Sequence, residues 1–172
     1  MPRTYEMADG SAMNFMQQVL RKVHPELKEA KVNIDMEFVE GEEGAPAVKE
    51  GGYDTFGKVK IFNEADRKGG SPDARMLIDK TVWEQANADQ REGIVDHLLQ
   101  RLEVRKTEKG EIIRDSTGRP KMNRRKYDIR LAGFSVVAER NGENAPEVMA
   151  AKDIRDKYGQ LLMWAMETEA SG

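Results

Sequence analysis

The sequence contains no cysteine and only two histidines, His24 and His97, among its 172 residues. The missing cysteine excludes disulfide bonds, thiolate zinc sites and cysteine nucleophiles. Two histidines leave little imidazole for a catalytic zinc ion, which commonly takes three protein ligands and keeps one open position. No apolar run approaches the roughly 20 residues that span a bilayer, and no signal peptide is evident. We therefore expect a cytoplasmic protein without a membrane partner.

The composition limits the size of the core and the kind of partner. Hydrophobic residues make up 38% of the chain and charged residues 34%, which permits folding around a modest core beneath a charged surface. The formal net charge of -3 favours neither a general nucleic-acid binder nor a protein of the membrane surface. The length suits one domain, and we predict a single domain over residues 1–172.

The first half of the chain predicts one helix followed by strands. Asp9 or Ser11 is expected to cap a helix that ends at about His24, because Pro25 disfavours helical backbone in the residue before it. Farther along, apolar residues alternate with charged ones, which is the period of a strand with one buried face. Strands are predicted at residues 32–38, 58–63 and 74–79.

The second half predicts mostly helices. Asn87 and Gln90 have the spacing of a capping box, so a central helix is expected to begin near Ala88 and to carry residues 95–104. Residues 103–125 predict a hairpin or extended excursion. Two more helices are predicted, at residues 127–140, ended by Gly142, and from Pro146 to about Glu167. Helices around a few strands indicate an α+β domain.

The predicted central helix holds the sequence VDHLLQRLEV at residues 95–104, with His97 near its middle. In a zinc-peptidase helix, His-Glu-x-x-His places two metal ligands one turn apart, and the glutamate between them handles the proton of a water molecule. Here Leu98 occupies the position of the glutamate and Arg101 that of the second histidine. The stretch has the spacing of such a helix without its working side chains.

At this helix the chain resembles the phage metallopeptidase family, a zincin-like group found in bacteriophage and prophage genomes. The matching stretches are residues 26–30 (ELKEA), 66–69 (DRKG), 76–79 (MLID), 96–99 (DHLL), 114–121 (RDSTGRPK), 133–134 (GF), 137–140 (VAER) and 158–162 (YGQLL). They extend over nearly the whole chain, and their order and spacing carry the resemblance rather than any single motif. The resemblance implies a zincin-like domain, with a small β-sheet packed against helices that include the central one.

In this family the central helix typically reads Asp-His-Glu-Leu-x-His, and a further histidine precedes an aspartate after the hairpin. Carried over to this chain, His97 is the only family ligand that survives. The glutamate falls on Leu98, the second histidine on Arg101 and the downstream histidine on Tyr127. A later acidic residue falls on Arg130. The resemblance therefore implies no catalytic residue in this chain and no expected cofactor.

Each substitution removes a different part of a zinc site. Leu98 can neither accept a proton nor hold a water molecule. Arg101 brings a permanent positive charge and has no lone pair to offer a metal. Tyr127 would bind a metal only as a phenolate, and the ordinary tyrosine pKa of about 10 opposes this.

Two interpretations of the remaining polar residues are open. A weak metal site of His97 with Asp96 and Asp128 is the zinc alternative. In the favoured interpretation, His97 is kept for packing, and Arg101 and Arg130 fill the site with charge. Their predicted partners are Asp96, Asp128 and Glu103. Acidic partners are required because a buried charge is costly unless it is paired.

These observations favour a phage-encoded, catalytically degenerate metallopeptidase-like protein that acts in the host cytoplasm by binding a host or phage protein. Interference with a host defence is one use of such binding. The alternative enzyme is an active zinc-dependent metallopeptidase with a divergent site.

A second alternative is a nucleic-acid-binding accessory protein, in which basic side chains contact phosphates. Its candidate residues are Arg119, Lys121, Arg124, Arg125 and Lys126. The competing and favoured interpretation is a solvated hairpin strand whose cations discourage edge pairing.

Overall fold

The computed structural model describes residues 2–129 and 131–170, with side chains as far as residue 159. It contains two compact units, residues 1–126 and residues 127–172. The predicted α+β class is confirmed, since helices accompany small sheets. The single domain over residues 1–172 stays a prediction. Within the described residues, no helix combines the length and the apolar character that a membrane crossing needs.

Short helices and strands follow one another along the first unit. In chain order they are β1 (Thr4–Met7), α1 (Gly10–Val23), α2 (Pro25–Glu29), β2 (Ile34–Glu40), β3 (Lys49–Glu50), β4 (Tyr53–Asp54), β5 (Gly57–Ile61), α3 (Glu64–Lys68), β6 (Ala74–Asp79), α4 (Lys80–Gln85), α5 (Ala88–Gln100), β7 (Leu102–Val104) and β8 (Met122–Arg124). Strands β3 and β4 pair with each other, and so do β7 and β8.

Four strands form the main sheet, in the order β1-β2-β6-β5. Strands β2 and β6 run parallel, whereas β1 and β5 are antiparallel to their neighbours. Met36 on β2 lies opposite Met76 on β6, and both are fully buried. A slip of one residue would carry these side chains to the opposite face, so burial holds the register.

Helices α1 and α5 share the buried apolar cluster of the sheet. The residues that they bury are Met16, Val19 and Leu20 of α1 and Val95, Leu98 and Leu99 of α5. A fully buried aliphatic side chain contributes about 1.5–3 kcal/mol. This packing fixes the rotation of α5 about its axis, and therefore decides which of its polar residues face outward.

Several predicted features of the first unit are confirmed. The Asp9 carboxylate caps α1 by accepting a hydrogen bond from the Ala12 N–H at 2.8 Å. Asn87 and Gln90 form the capping box of α5, and the third predicted strand coincides with β6. The sequence did not reveal β1, α2, α3 or α4, because four to six residues contain too little of an apolar period.

The prediction that the central helix continues to Val104 is wrong. Helix α5 ends at Gln100, Arg101 is its C-cap, and β7 follows. Leu102 and Val104 are buried while Glu103 between them is exposed, so burial alternates as in a strand. Such a short apolar run fits a helix or a strand, and the pairing with β8 decides between them.

Residues 103–125, for which a hairpin or extended excursion is predicted, contain most of the antiparallel strand pair β7 and β8, and they include the left-handed glycines Gly110 and Gly118 at two turns. Three segments of this stretch are joined by a ring of backbone hydrogen bonds. The Arg105 N–H donates to the Lys121 carbonyl, the Lys121 N–H to the Ile113 carbonyl, and the Ile113 N–H to the Arg105 carbonyl. Asp115 Oδ1 accepts two backbone N–H groups of the second turn, at 2.8 and 3.1 Å. We call residues 103–125 the excursion.

The second unit contains α6 (Ser135–Asn141) and α7 (Pro146–Ala170). As predicted, Pro146 opens the last helix. Gly142 ends α6 with a φ of 52°, a left-handed conformation that glycine adopts at little cost. Arg130 lies outside the described residues.

The helix predicted from residue 127 begins late. Helix α6 starts at Ser135, and the preceding Phe134 has an extended backbone and a side chain that is 71% exposed. Glu147 accepts a hydrogen bond from the Phe134 N–H at 2.9 Å, and its Cγ occupies the space that a Cβ at Gly133 would need. This packing holds residues 133–134 outside a helix, which local apolar spacing could not reveal.

We expect a fragment of residues 1–126 to fold by itself. Both buried apolar clusters lie entirely within it, so the truncation removes none of that core. Thermal unfolding followed by circular dichroism should show a single cooperative transition. A fragment that is unfolded without denaturant would contradict this prediction.

Candidate functional site on helix α5

Helix α5 presents the residues of the predicted site in different directions, because successive residues of a helix are about 100° apart. Leu98 and Leu99 face the core, and Asp96 and His97 lie nearer the surface. Arg101 follows the last helical turn. The residues therefore have different neighbours.

Asp96 is engaged by the other histidine. Its Oδ1 lies 2.6 Å from Nε2 of His24, a buried residue at the C-terminal end of α1. Nδ1 of His24 lies 3.6 Å from Glu26. The contact joins α1 to α5, and the sequence did not indicate it because the two residues are 72 positions apart.

His97 is exposed and packs edge-on against an aromatic ring. The His97 and Phe56 ring centroids are 4.9 Å apart, with an interplanar angle of 78°. Both residues line an open groove of about 610 Å³ between α4, α5 and Phe56. The other lining residues are Val82, Gln85, Ala86, Gln90, Gly93 and Ile94. The interpretation that His97 is kept for packing stays a prediction, and the histidine is more exposed than that interpretation expects.

Leu98 is a core residue, with only 1% of its surface exposed. A Cβ on Gly57 of β5 would lie 3.1 Å from Leu98 Cδ1, so the absent side chain of Gly57 lets the strand approach the helix closely. The position that carries the general base in the family is thus filled by apolar packing between α5 and the sheet.

Arg101, onto which the resemblance carries the second histidine, is mostly buried, with its side chain 12% exposed. Its Nη2 lies 3.3 Å from Oε1 of Glu50, and its Nη1 donates to the carbonyl of Arg125. Arg124 reaches the same Glu50 oxygen at 3.8 Å. Glu50 is a partner that the sequence did not indicate, since it belongs to the short hairpin β3–β4.

The donor set does not fit the zinc ion of the alternative interpretation. Within residues 2–129 and 131–159, no three His, Asp or Glu side chains are grouped so that they could hold a metal ion. His97 has the Phe56 ring beside it, and Asp96 is turned to His24. A guanidinium stands where the second imidazole would be, and it cannot donate a lone pair.

Tyr127 and Asp128 are both exposed and belong to the second unit. They come before α6, in a stretch of irregular backbone. The proposed metal-ligand role of Asp128 therefore stays a prediction.

The pKa of His97 is lowered from its ordinary value of 6.5. The largest cause is partial burial, which removes water from the imidazole and disfavours its charged form, and the second is the positive charge of Arg101. The carboxylates of Glu50 and Asp96 act in the opposite direction but do not outweigh these two effects. The local potential thus disfavours added positive charge at His97, whether a proton or a metal ion brings it.

We expect NMR titration to place the His97 pKa below 6.5 and the Arg101→Met variant to raise it. A pKa lowered by folding means that the unfolded chain binds more protons near pH 6, so this contribution to stability is present above pH 6.5 and is lost as the pH falls through the folded pKa. Unfolding free energy should therefore decline less on acidification in His97→Gln than in the wild type. An unchanged His97 pKa in Arg101→Met would contradict the assigned cause.

The five predicted phosphate-contacting residues have different surroundings. Arg119 contacts Asp73 at 2.8 Å, and Arg124 donates to the Val59 carbonyl at 2.8 Å. Lys121 and Arg125 are half-buried and Lys126 is exposed. Two of the five thus have internal contacts, and nucleic-acid binding stays a prediction.

A buried charge network attaches the excursion to the rest of the first unit. Arg67 of α3 lies 3.4 Å from Asp73 and 3.0 Å from Asp115, which belongs to the excursion. Asp73 also contacts Arg119 and accepts the Asn33 N–H at 2.7 Å. Arg67 and Asp73 have side chains that are 6% and 1% exposed. We call Arg67, Asp73, Asp115 and Arg119 the charge network.

Further hydrogen bonds hold the same segment. Arg67 Nη1 donates to the Pro120 carbonyl at 2.9 Å, and Arg119 Nη1 donates to the Ser71 carbonyl at 3.0 Å. Ser116 at the second turn donates to Glu64 of α3. The stretches 66–69 and 114–121 stood out in the sequence as matching segments, and that was the signal that could have revealed the network.

Comparison with known proteins adds one finding to this geometry. A family model described as "Putative phage metallopeptidase" matches residues 5–159, well over half of the chain. No curated protein and no solved structure matches the chain at a significant level.

Proposed function

The chain belongs to the "Putative phage metallopeptidase" family, and we propose that it is a catalytically degenerate member that acts by binding a host or phage protein. Arg101 is the observation that carries the proposal. The resemblance assigns the second metal ligand to this residue, and its guanidinium is paired with Glu50 and bonded to the Arg125 carbonyl. A mostly buried arginine with these partners serves the fold, and its charge opposes a dication.

The other substitutions support the same conclusion. Leu98 cannot act as the general base, and its burial against Gly57 leaves no place for a water molecule. His97 contributes one imidazole, at a place where Arg101 lowers its pKa. Loss of the base and of a ligand together removes both functions that a zinc peptidase site needs.

A zincin-like frame is part of the proposal. The mixed four-stranded sheet, the edge strand β5 and the helix α5 beneath it support that frame. Loss of catalysis leaves the surfaces beside α5 available for binding, including the groove lined by Phe56, Val82 and Ile94. Because the family is a phage family, host defence proteins in the cytoplasm are one class of partner to test.

Metal analysis beside an activity assay tests the proposal. Protein purified from zinc-supplemented cells should contain zinc well below one ion per chain and should cleave no peptide library in a chelator-sensitive manner. His97→Ala is the matched variant, because it removes the one surviving family ligand. Stoichiometric zinc that disappears in His97→Ala, or hydrolysis that a chelator abolishes, would overturn the proposal.

The binding part of the proposal has its own test. Tagged chain recovered from infected cells should retain a specific protein at near-stoichiometric yield, identified by mass spectrometry. An unrelated tagged protein of similar charge provides the background. Recovery of the chain alone, at several stages of infection, would contradict a binding function.

A further inference from the structure

The excursion concentrates positive charge in a protein that is otherwise acidic. The excursion together with the next residue, Lys126, contains nine Lys and Arg residues and four Asp and Glu residues, a net charge of +5. The whole chain carries -3, so the remaining residues carry -8.

The strand register brings three of the cations to one face. Leu102 and Val104 of β7 are buried, and the residues between and beside them alternate to the opposite face. Arg105 donates its backbone N–H to Lys121 at 2.9 Å, and the Arg125 N–H donates to the carbonyl of Arg101 at 2.8 Å, so the β7–β8 register continues at both ends. Opposed residues share a face. Arg101 stands opposite Arg125 at the end of this face, but its side chain is mostly buried and contacts Glu50. We call Arg105, Lys121 and Arg125 the basic face.

The side chains of the basic face are available for binding. Arg105 is exposed, and Lys121 and Arg125 are half-buried. Among the described residues, no hydrogen bond or ion pair engages the charged ends of these three side chains. Arg119 and Arg124, by contrast, have internal contacts through the charge network, Glu50 and Val59.

The basic face is held in place before any partner arrives. The charge network and the hydrogen bond from Ser116 to Glu64 tie the excursion to α3, and the ring of backbone hydrogen bonds joins its three segments. A surface on a fixed segment loses little conformational entropy on binding. Such a segment is suited to recognition rather than to serving as a mobile linker.

An acidic residue lies within the basic face and narrows the class of partner. Glu103 is exposed and pairs with Asn123 in the register. Arg105 is two residues away on the same strand, and Lys121 and Arg125 are diagonal to Glu103, at about 7–8 Å in such a ladder. A complementary surface has carboxylates around a central cation. A nucleic-acid backbone carries only negative charge, so it would repel Glu103 and offer it no cation.

We propose that the basic face binds an acidic protein surface in which carboxylates surround a lysine or arginine that pairs with Glu103. This inference rests on the proposed function, because it supplies the chemistry of the protein partner. The charges of the basic face attract and orient the partner. Binding should weaken as salt is added, because dissolved ions screen these charges.

Peptide binding tests the pattern directly. The probes are a fluorescent peptide that repeats Glu-Thr-Lys-Thr-Glu-Thr, a peptide that repeats Glu-Thr, and a short DNA duplex. Fluorescence anisotropy should show the lysine-containing peptide binding most tightly to the full chain, with affinity that falls as salt rises. The triple variant Arg105→Gln, Lys121→Gln, Arg125→Gln should bind it about tenfold more weakly, as expected for the loss of several exposed ion pairs.

The matched control removes the same charge elsewhere. Arg3→Gln, Arg21→Gln, Lys28→Gln changes three exposed cations of the first unit outside the excursion, and its affinity should stay within about twofold of the wild type because screening limits long-range effects. Thermal unfolding confirms that both triple variants fold. Equal weakening in the two would show that net charge alone acts, and would overturn the assignment of the face.

Glu103→Gln separates the two classes of partner. It should weaken the lysine-containing peptide and strengthen the DNA duplex. Tightest binding to DNA, or a gain for all probes in Glu103→Gln, would overturn the proposal in favour of a polyanion. If infected cells yield a partner that the triple variant of the basic face still binds, the assignment of binding to the basic face is wrong while the proposed function stands. If they yield no partner, the proposed function itself fails, whatever the peptides show.

Discussion

Replacement of Arg67 by leucine is expected to destabilise the first unit by about 3–5 kcal/mol, the usual cost of removing one partner from a buried ion pair. The Arg67 guanidinium lies between Asp73 and Asp115 and also donates to the Pro120 carbonyl. Its removal leaves Asp115 without this cation and leaves Arg119 as the cation that still contacts Asp73, in a place with little access to water. Most of the loss is therefore the penalty of a buried carboxylate that has lost its ion pair.

Lys68→Leu is the matched control for Arg67→Leu. Lys68 is the next residue of α3 and makes an ion pair with Glu64 at 3.0 Å, but its side chain is exposed. Exposed pairs are worth about 0–1 kcal/mol. Urea unfolding of the two variants and the wild type measures the difference. Equal losses in both variants would show that the charge network contributes no more than a surface pair.

The second large effect concerns Leu98→Glu, which restores the glutamate of the family. Removal of a buried leucine typically lowers the free energy of unfolding by about 2–5 kcal/mol. We expect the loss in this variant to be at least as large, because the new carboxyl is also deprived of water. Leu98 is 1% exposed and lies against Gly57. The substitution should yield no peptidase activity, since Arg101 still occupies the second-ligand position.

The Leu98→Glu variant should also become pH-dependent. Burial raises the pKa of a carboxyl, so the folded variant binds more protons than its unfolded chain at intermediate pH. Its unfolding free energy should therefore fall as the pH rises through that range. Chemical unfolding at several pH values checks the sign, and a loss that is independent of pH would contradict burial of the new carboxyl.

Gln100→Glu controls for a new carboxylate on the same helix. Gln100 is exposed at the end of α5, and a surface substitution of this kind changes stability by less than about 1 kcal/mol. Leu98→Met keeps the apolar volume and should cost less than about 1.5 kcal/mol. The contrast among the three substitutions isolates the effect of burying charge at residue 98.

Local signals predicted the longer elements well. The Asp9 cap and the capping box of Asn87 and Gln90 are interactions between residues three apart, so the sequence contains all that they need. The end of α5 could not be predicted in the same way. Leu102 continues the apolar spacing of the helix, and only its pairing with Arg124 across the excursion makes it part of a strand.

The candidate site was predictable in its chemistry but not in its contacts. The resemblance and the residue types predict that His97 is the one surviving family ligand and that Leu98 and Arg101 replace a base and a ligand. The exposure of His97 beside Phe56 depends on where β5 passes α5. The resemblance included the segments 66–69 and 114–121, which contain residues of the charge network, but it did not indicate that these segments are in contact.

The sequence by itself determined what the side chains near residue 97 are able to do. A leucine has no proton acceptor and an arginine no lone pair in any fold, because these properties belong to the residue. Only the tertiary structure decided the partners: Glu50 for Arg101 and Asp115 for Arg67. Those pairs join residues that are far apart in the chain, and their meeting depends on the path of the backbone around a shared apolar core.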